Sequence, residues 1–378
     1  MPETLTALLT ALVRLDSTNP SLVPEGAGEA KVAHFLVDWL TAQGIAAELD
    51  EATPGRVSVI ATVKGSGGGR SLLLNAHLDT VGTAGMAAPF EPAVREGRMY
   101  GRGTYDMKGG LAAGLLALLD ARDAGLRGDV ILTAVADEEH ASLGTRSVLK
   151  RVGADAAIVT EPTELRVSVA HKGFTWHELT TAGHAAHGSR PDLGVDAIAH
   201  MGRVLGRLEA LGEALTARPA HPLLGHGSLH ASLISGGQEL SSYPGRCTLH
   251  VERRTLPGET PEDVAWEMEE LLAGLAAEDA GFRAEHRLTL ARDPFGIAED
   301  APIVRTLRQA AAGVLGAPPA VIGQGFWMDS ALIAAAGIPT VVFGPCGGGA
   351  HAAEEWVDLA SVERCREVLT ATIRAFCA

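Results

Sequence analysis

Blocks of positive charge are what this sequence most lacks. Its 31 Lys and Arg residues are outnumbered by 46 Asp and Glu, for a formal charge of −15 at pH 7. Nowhere do the cations form a run that could track a phosphate backbone, which argues against nucleic acid and against an anionic membrane surface as partners. Cysteine is sparse too. Cys247, Cys346, Cys365 and Cys377 show neither the paired spacing of a zinc knuckle nor a disulfide framework, so a reducing cytoplasm is the expected setting. No uninterrupted apolar run approaches membrane-spanning length. The apolar start (Leu5, Leu8, Leu9, Leu12) is broken by Glu3, Arg14 and Asp16 and follows no basic segment. Its i, i+3, i+4, i+7 spacing predicts an amphipathic helix, not a signal peptide. Aromatics make up only 4% of the residues while Ala, Gly and Leu abound, a bias that points to a high-GC coding sequence more than to a mechanism.

What is present is ordinary globular material: 46% hydrophobic and 20% charged over 378 residues, enough for two domains or one large α/β domain with an insertion. Helical patterns near residues 3–16 and 26–43 flank the breaker Ser17-Thr18-Asn19-Pro20. A β-rich run, Val57 to Val63, follows, then a Gly/Ser-rich turn. Four short apolar runs come next: Leu72–Leu74, Val130–Val135, Ala156–Val159 and, far downstream, Pro339–Phe343. Alternating with helical segments such as Leu111–Ala121 and Pro302–Leu315, they predict strands covered on both faces in a largely parallel sheet. Between residues 171 and 292 the texture changes. Period-2 segments (Thr175–Thr180, Leu229–Ile234, Cys247–Glu252) mix with two helical patterns, one from Asp192 to about Leu215, the other opening at Thr260-Pro261-Glu262-Asp263. These predict an α+β insertion. The expected organisation is residues 1–170 and 293–378 as one α/β domain, interrupted by residues 171–292.

The chemistry follows each apolar run. Leu72–Leu74 leads to His77 and Asp79, Val130–Val135 to Asp137-Glu138-Glu139, Ala156–Val159 to Glu161, and Pro339–Phe343 to a Gly-rich stretch ending at His351. In an open α/β sheet, ligand sites form outside the carboxyl ends of the strands. A fifth group, Asp106, sits in a Gly-flanked loop entering the Leu111 helix. Singly these residues mean little, because a lone histidine after a strand is usually a hydrogen-bonded structural group. Two histidines and three carboxylates sent to one edge suit zinc and its divalent neighbours. Other chemistries fail on detail: Gly65-Ser66-Gly67-Gly68-Gly69 precedes a strand and opens no helix, and neither a Gly-x-Ser-x-Gly elbow nor an HExxH helix occurs.

These residues resemble the zinc-dependent amidohydrolase and exopeptidase family of acetylornithine deacetylase, succinyl-diaminopimelate desuccinylase, aminoacylase and glutamate carboxypeptidase. The resemblance spans nearly the whole chain: His77-x-Asp79, Gly101-Arg102-Gly103 with Asp106-Met107-Lys108-Gly109-Gly110, Asp137-Glu138-Glu139, Glu161-Pro162-Thr163, Gly183-His184-Ala185-Ala186-His187, Glu252-Arg253-Arg254, Met328-Asp329-Ser330 and Ala350-His351. The whole-chain pattern sits nearest the acetylornithine deacetylase branch. It implies a metallopeptidase-like catalytic domain with an inserted α+β lid and dimerisation domain, acting in a homodimer. It implies two divalent ions, zinc by preference with cobalt or manganese as alternatives, one held by His77, Asp106 and Glu161 and the other by Asp106, Glu139 and His351. Asp79 is then expected to hold His77 in one tautomer, and Glu138 to act as general base. His187 is expected to stabilise the tetrahedral oxyanion from the partner subunit, Arg254 to pair with a substrate carboxylate, and the Asp106–Met107 peptide to be cis.

Two departures stand out. Where the family pattern carries an Asn before Pro244, this chain has Ser241, and Arg253-Arg254 is doubled, so Arg253 could take the role of Arg254. The expected substrate is a small N-acyl amino acid, with a short peptide cleaved by a carboxypeptidase or dipeptidase as the alternative. A metal-dependent binding protein without catalysis is a third reading. It leaves Glu138 without a purpose beside a complete ligand set.

Overall fold

Six consecutive buried side chains, Leu72–His77, make a strand with no face toward water. It lies between two others of the same kind, Val130–Val135 and Ala156–Val159, parallel to both. A fourth, Thr340–Val342, runs parallel to Ala156–Val159 on its other side. Their shared direction brings four carboxyl ends to one edge. Outside this parallel core the pairing turns antiparallel: Arg56–Val63 pairs with Val130–Val135 and Ala46–Thr53 pairs with Arg56–Val63. On the other flank Val342 pairs with Ser168 of the Val167–His171 strand. The sheet is therefore mixed, and the parallel reading holds for its centre.

Helix Gly109–Arg122 lies on this sheet and is buried nearly all round, because the C-terminal helix Leu359–Phe376 packs on it from the other side. Gly110 makes the close approach possible. A Cβ there would fall 1.9 Å from the Thr160 carbonyl oxygen, one residue before Glu161. Helix Pro302–Leu315 begins where its Pro predicts, at the first turn.

The computed structural model describes residues 4–83 and 85–378, and it divides into two units. The first holds the described residues up to Val169 with Ile297–Ile322 and Met328–Ala378; the second holds Ala170–Gly296 and Gly323–Trp327. The second unit is a four-stranded antiparallel sheet ordered Ser228–Gly236, Arg246–Thr255, Gly173–Ala182, Arg283–Arg292. Helices Ala197–Ala217 and Pro261–Glu278 pack on it around Leu179, Met201, Val204, Leu249, Val251 and Met268. Thr260 and Asp263 form a reciprocal capping box at the start of the second helix. The first helix starts later than the Asp192 expectation. Arg190 to Gly194 form a turn, Val195 pairs in extended form with His184, and Asp196 caps the helix. Among the described residues no helix is long and apolar enough to cross a membrane.

Candidate active site and metal centre

The four strand ends and the Asp106 loop meet. His77 Nε2 lies 3.0 Å from Asp106 Oδ1 and 3.5 Å from Glu161 Oε1. His351 Nε2 lies 3.3 Å from Asp106 Oδ2 and 3.2 Å from Glu139 Oε1. Asp106 thus presents one oxygen to each histidine, the arrangement a bridging carboxylate requires. The backbone supporting it is unusual: Gly103 is left-handed at φ 79° and the Asp106–Met107 peptide is cis. His351 also has a positive φ, 63°, and is half exposed. Donor atoms of His77, Asp106 and Glu139 lie within 4.8 Å of one another, as do those of His77, Glu138 and Glu161. Distance alone therefore places Glu138 among the donors.

Asp79 meets His77 through its backbone. The His77 Nδ1 contact, at 2.9 Å, is with the Asp79 backbone oxygen, while the nearest carboxylate oxygen is 3.7 Å away. The Asp79 carboxylate instead accepts the backbone N–H groups of Glu138 (3.0 Å) and Glu139 (3.2 Å) and the amide of Asn19 (2.7 Å). Asn19 also donates to Asp137, and Arg56 joins Asp137, Asn19 and the fully buried Glu29. Asp137 is itself left-handed, φ 69°, so this network holds the turn that aims two adjacent glutamates at the site. Asn19, Arg56 and Glu29 were not singled out as site residues from sequence: Asn19 reads as part of a helix breaker, and Arg56 sits at the margin of an apolar run. Asp329 is another buried carboxylate nearby, hydrogen-bonded by Thr145.

Four carboxylates and two imidazoles share this space, and their acidities show the strain of negative charge. Burial raises Glu138 and Glu161 well above the usual carboxylate range, and the charges of Asp329 and Glu139 push both the same way. Burial raises Glu139 as well. Asp106 goes down in spite of its burial, held there by His351 and His77. Burial opposes charge on His77, but Asp106, Glu161 and Glu138 outweigh it and raise its pKa well above normal. Hydrogen bonds to Asp106 and Glu139 push His351 up to about 10. A site so rich in oxygen and nitrogen donors, whose buried acids resist ionisation, fits divalent cations: they supply the positive charge that the carboxylates lack.

His187 and Arg254 belong to the second unit. His187 is exposed; its Nδ1 accepts the Ser189 N–H at 3.2 Å, which leaves Nε2 as the donor of the neutral ring. Arg253 is fully buried and spent on Glu259 and Glu267. Arg254 is partly exposed, paired with Glu252 at 2.7 Å and stacked over Phe174. Of the doubled arginines, only Arg254 faces outward.

Residues 73–375 match the model of peptidase family M20/M25/M40, and the chain belongs to that family. It is a hydrolase acting on amide bonds. It is 33% identical to an acetylornithine deacetylase of Myxococcus xanthus, covering 100% of this chain and 99% of that one. Its fold is shared with an aminopeptidase from Bacillus cereus (TM-score 0.83, 21% identity, covering 100% and 99%). It is also shared with a dinuclear metal binding peptidase from Bacillus subtilis (TM-score 0.76, 17% identity, covering 99% and 97%).

Proposed function

We propose that this enzyme removes an acyl group from the amino nitrogen of a small amino acid, using two divalent metal ions and Glu138 as general base. The observation that carries the reading is the split of the Asp106 carboxylate, one oxygen to His77 and the other to His351. His77, Asp106 and Glu161 would hold one ion and Asp106, Glu139 and His351 the other. When bound, such ions supply Lewis acidity toward water and toward the amide carbonyl. Glu138 takes the proton of the attacking water and returns it to the leaving amine. The His187 Nε2–H donates to the developing oxyanion, and the Arg254 guanidinium pairs with the substrate carboxylate. Zinc is the metal proposed, with cobalt and manganese acceptable to the same donors. Four free cysteines are in keeping with a cytoplasmic setting.

The proposed enzyme is a homodimer, in which His187 serves the partner's site. Its support is the edge strand Ser228–Gly236, exposed along nearly its whole length, with Leu233 and Ile234 68% and 56% exposed. An apolar strand edge of this kind is a template for pairing with a second copy. The resemblance to an acetylornithine deacetylase over the whole chain favours deacylation, and likeness to an aminopeptidase keeps dipeptides in the comparison. Chelator-treated enzyme should be inactive and regain activity with zinc or cobalt. A panel of N-acetyl amino acids, succinyl-diaminopimelate and dipeptides should then give its highest kcat/KM on an N-acyl amino acid. Preference for dipeptides would overturn the deacylase assignment.

A further inference from the structure

Arg102 and Glu355 form an ion pair with side chains 2% and 1% exposed, and neither has a place in the chemistry above. Glu355 follows His351 by four positions. Its Oε1 accepts the backbone N–H groups of Tyr105 (2.9 Å) and Asp106 (3.0 Å). Its Oε2 accepts the Gly103 N–H (2.9 Å) and Arg102 Nη1 (2.7 Å). All four partners are donors, so only an ionised carboxylate satisfies them together. The remaining faces of the guanidinium reach elsewhere: Nη2 donates to the Ala352 carbonyl at 3.0 Å and Nε to the Gly82 carbonyl at 3.1 Å. Ala352 adjoins His351, Gly82 lies three residues beyond Asp79, and Gly103 to Asp106 is the loop of the bridging carboxylate. One buried pair thus fastens three loops, each carrying a residue of the site.

We propose that Arg102 and Glu355 are positioning residues that set the His77–Asp79, Asp106 and His351 loops in register for metal binding. The proposal rests on the metal-centre reading above. The three loops come from distant stretches of the chain. Pairing of Arg98–Tyr100 with Trp356–Asp358 brings two of them side by side, and the four donors around Glu355 with the fork of Arg102 fix the loops themselves. Residues that orient metal ligands in this way commonly govern affinity nearly as much as the ligands do.

Glu355→Gln tests this, since its amide nitrogen must face at least one N–H donor. Metal affinity is measured by chelator competition on protein shown folded by circular dichroism, beside the thermal midpoint of the metal-free form. The expected result is an affinity about 10–100-fold lower, with substrate KM little changed once metal is saturating. Arg102→Lys keeps a charge facing Glu355 but loses the fork to Gly82 and Ala352, and should give a smaller loss of the same kind. Folded variants that bind metal as tightly as wild type, with only a lowered midpoint, would reduce the pair to a structural role and overturn the proposal. Should neither variant fold, hydrogen exchange on the metal-free wild type decides. Protection of the Gly103, Tyr105 and Asp106 amides as a group supports the proposal, and exchange at exposed-loop rates overturns it. A wild-type protein that binds no divalent metal would overturn the metal-centre reading and this one with it.

Discussion

Glu138 and Glu139 are neighbours with different surroundings. Glu139 contacts His351, whereas burial and the charge of Asp329 press on Glu138. Glu138→Gln should lower kcat by at least about 100-fold while metal content stays near wild type, because an amide keeps the shape and cannot take the proton. Glu139→Gln should lower metal affinity as well. Kinetics with metal analysis on both variants checks this, and an active Glu138→Gln would remove Glu138 from the mechanism. The paired arginines separate in the same way. Arg253→Met should lower the thermal midpoint, since it removes the buried cation that Glu259 and Glu267 share with the exposed Arg218. Arg254→Met should leave the thermal midpoint near wild type and raise KM. Residue types at strand ends made this edge legible in the sequence. The role of the Asp79 carboxylate was not legible, because its partners are the backbone N–H groups of Glu138 and Glu139 and no side-chain pattern records them.

At the scale of elements, the strands with continuous apolar runs were the readable ones. Arg283–Arg292 was not: its sequence, RAEHRLTLAR, has no continuous apolar run, and it is a strand through its pairing with Gly173–Ala182. That pairing brings His286 onto His177, with Nε2 and Nδ1 2.8 Å apart and His177 Nε2 on Thr175 Oγ1. Burial, then the neighbouring His286 and Arg253, lower the His177 pKa from 6.5 to about 4. An unfolded chain therefore takes up a proton below pH 6.5 that the folded one refuses until about pH 4. This contribution to stability is intact above pH 6.5 and lost progressively as pH falls toward 4. Thermal midpoints of wild type and His177→Gln across that window should show a shallower acid slope in the variant. An equal slope would assign the acid sensitivity elsewhere.

For the whole molecule, the proposed dimer makes a prediction that no single subunit can satisfy. Inactive Glu138→Gln mixed with His187→Ala should regain activity after subunit exchange, since each heterodimer has one site with both groups intact, supplied by different chains. Demonstrated exchange without recovery would place His187 outside the partner's site. Leu233→Lys on the exposed strand should shift the protein toward monomer in sedimentation, with loss of turnover and retained metal binding.

The order of the central sheet also has a consequence in time. Thr340–Val342 lies between Ala156–Val159 and Val167–His171, yet a ribosome makes it roughly 180 residues after the first of these and roughly 170 after the second. Those two strands must therefore wait, edges open, through synthesis of the whole insertion, which consists of locally paired strands and helices and can fold meanwhile. His351 and Glu355 emerge later still. A growing chain thus carries the acids of the site before the His351 that lies against Asp106 and Glu139. The same delay makes the unfilled slot between these strands the point at which a growing chain most needs protection from aggregation.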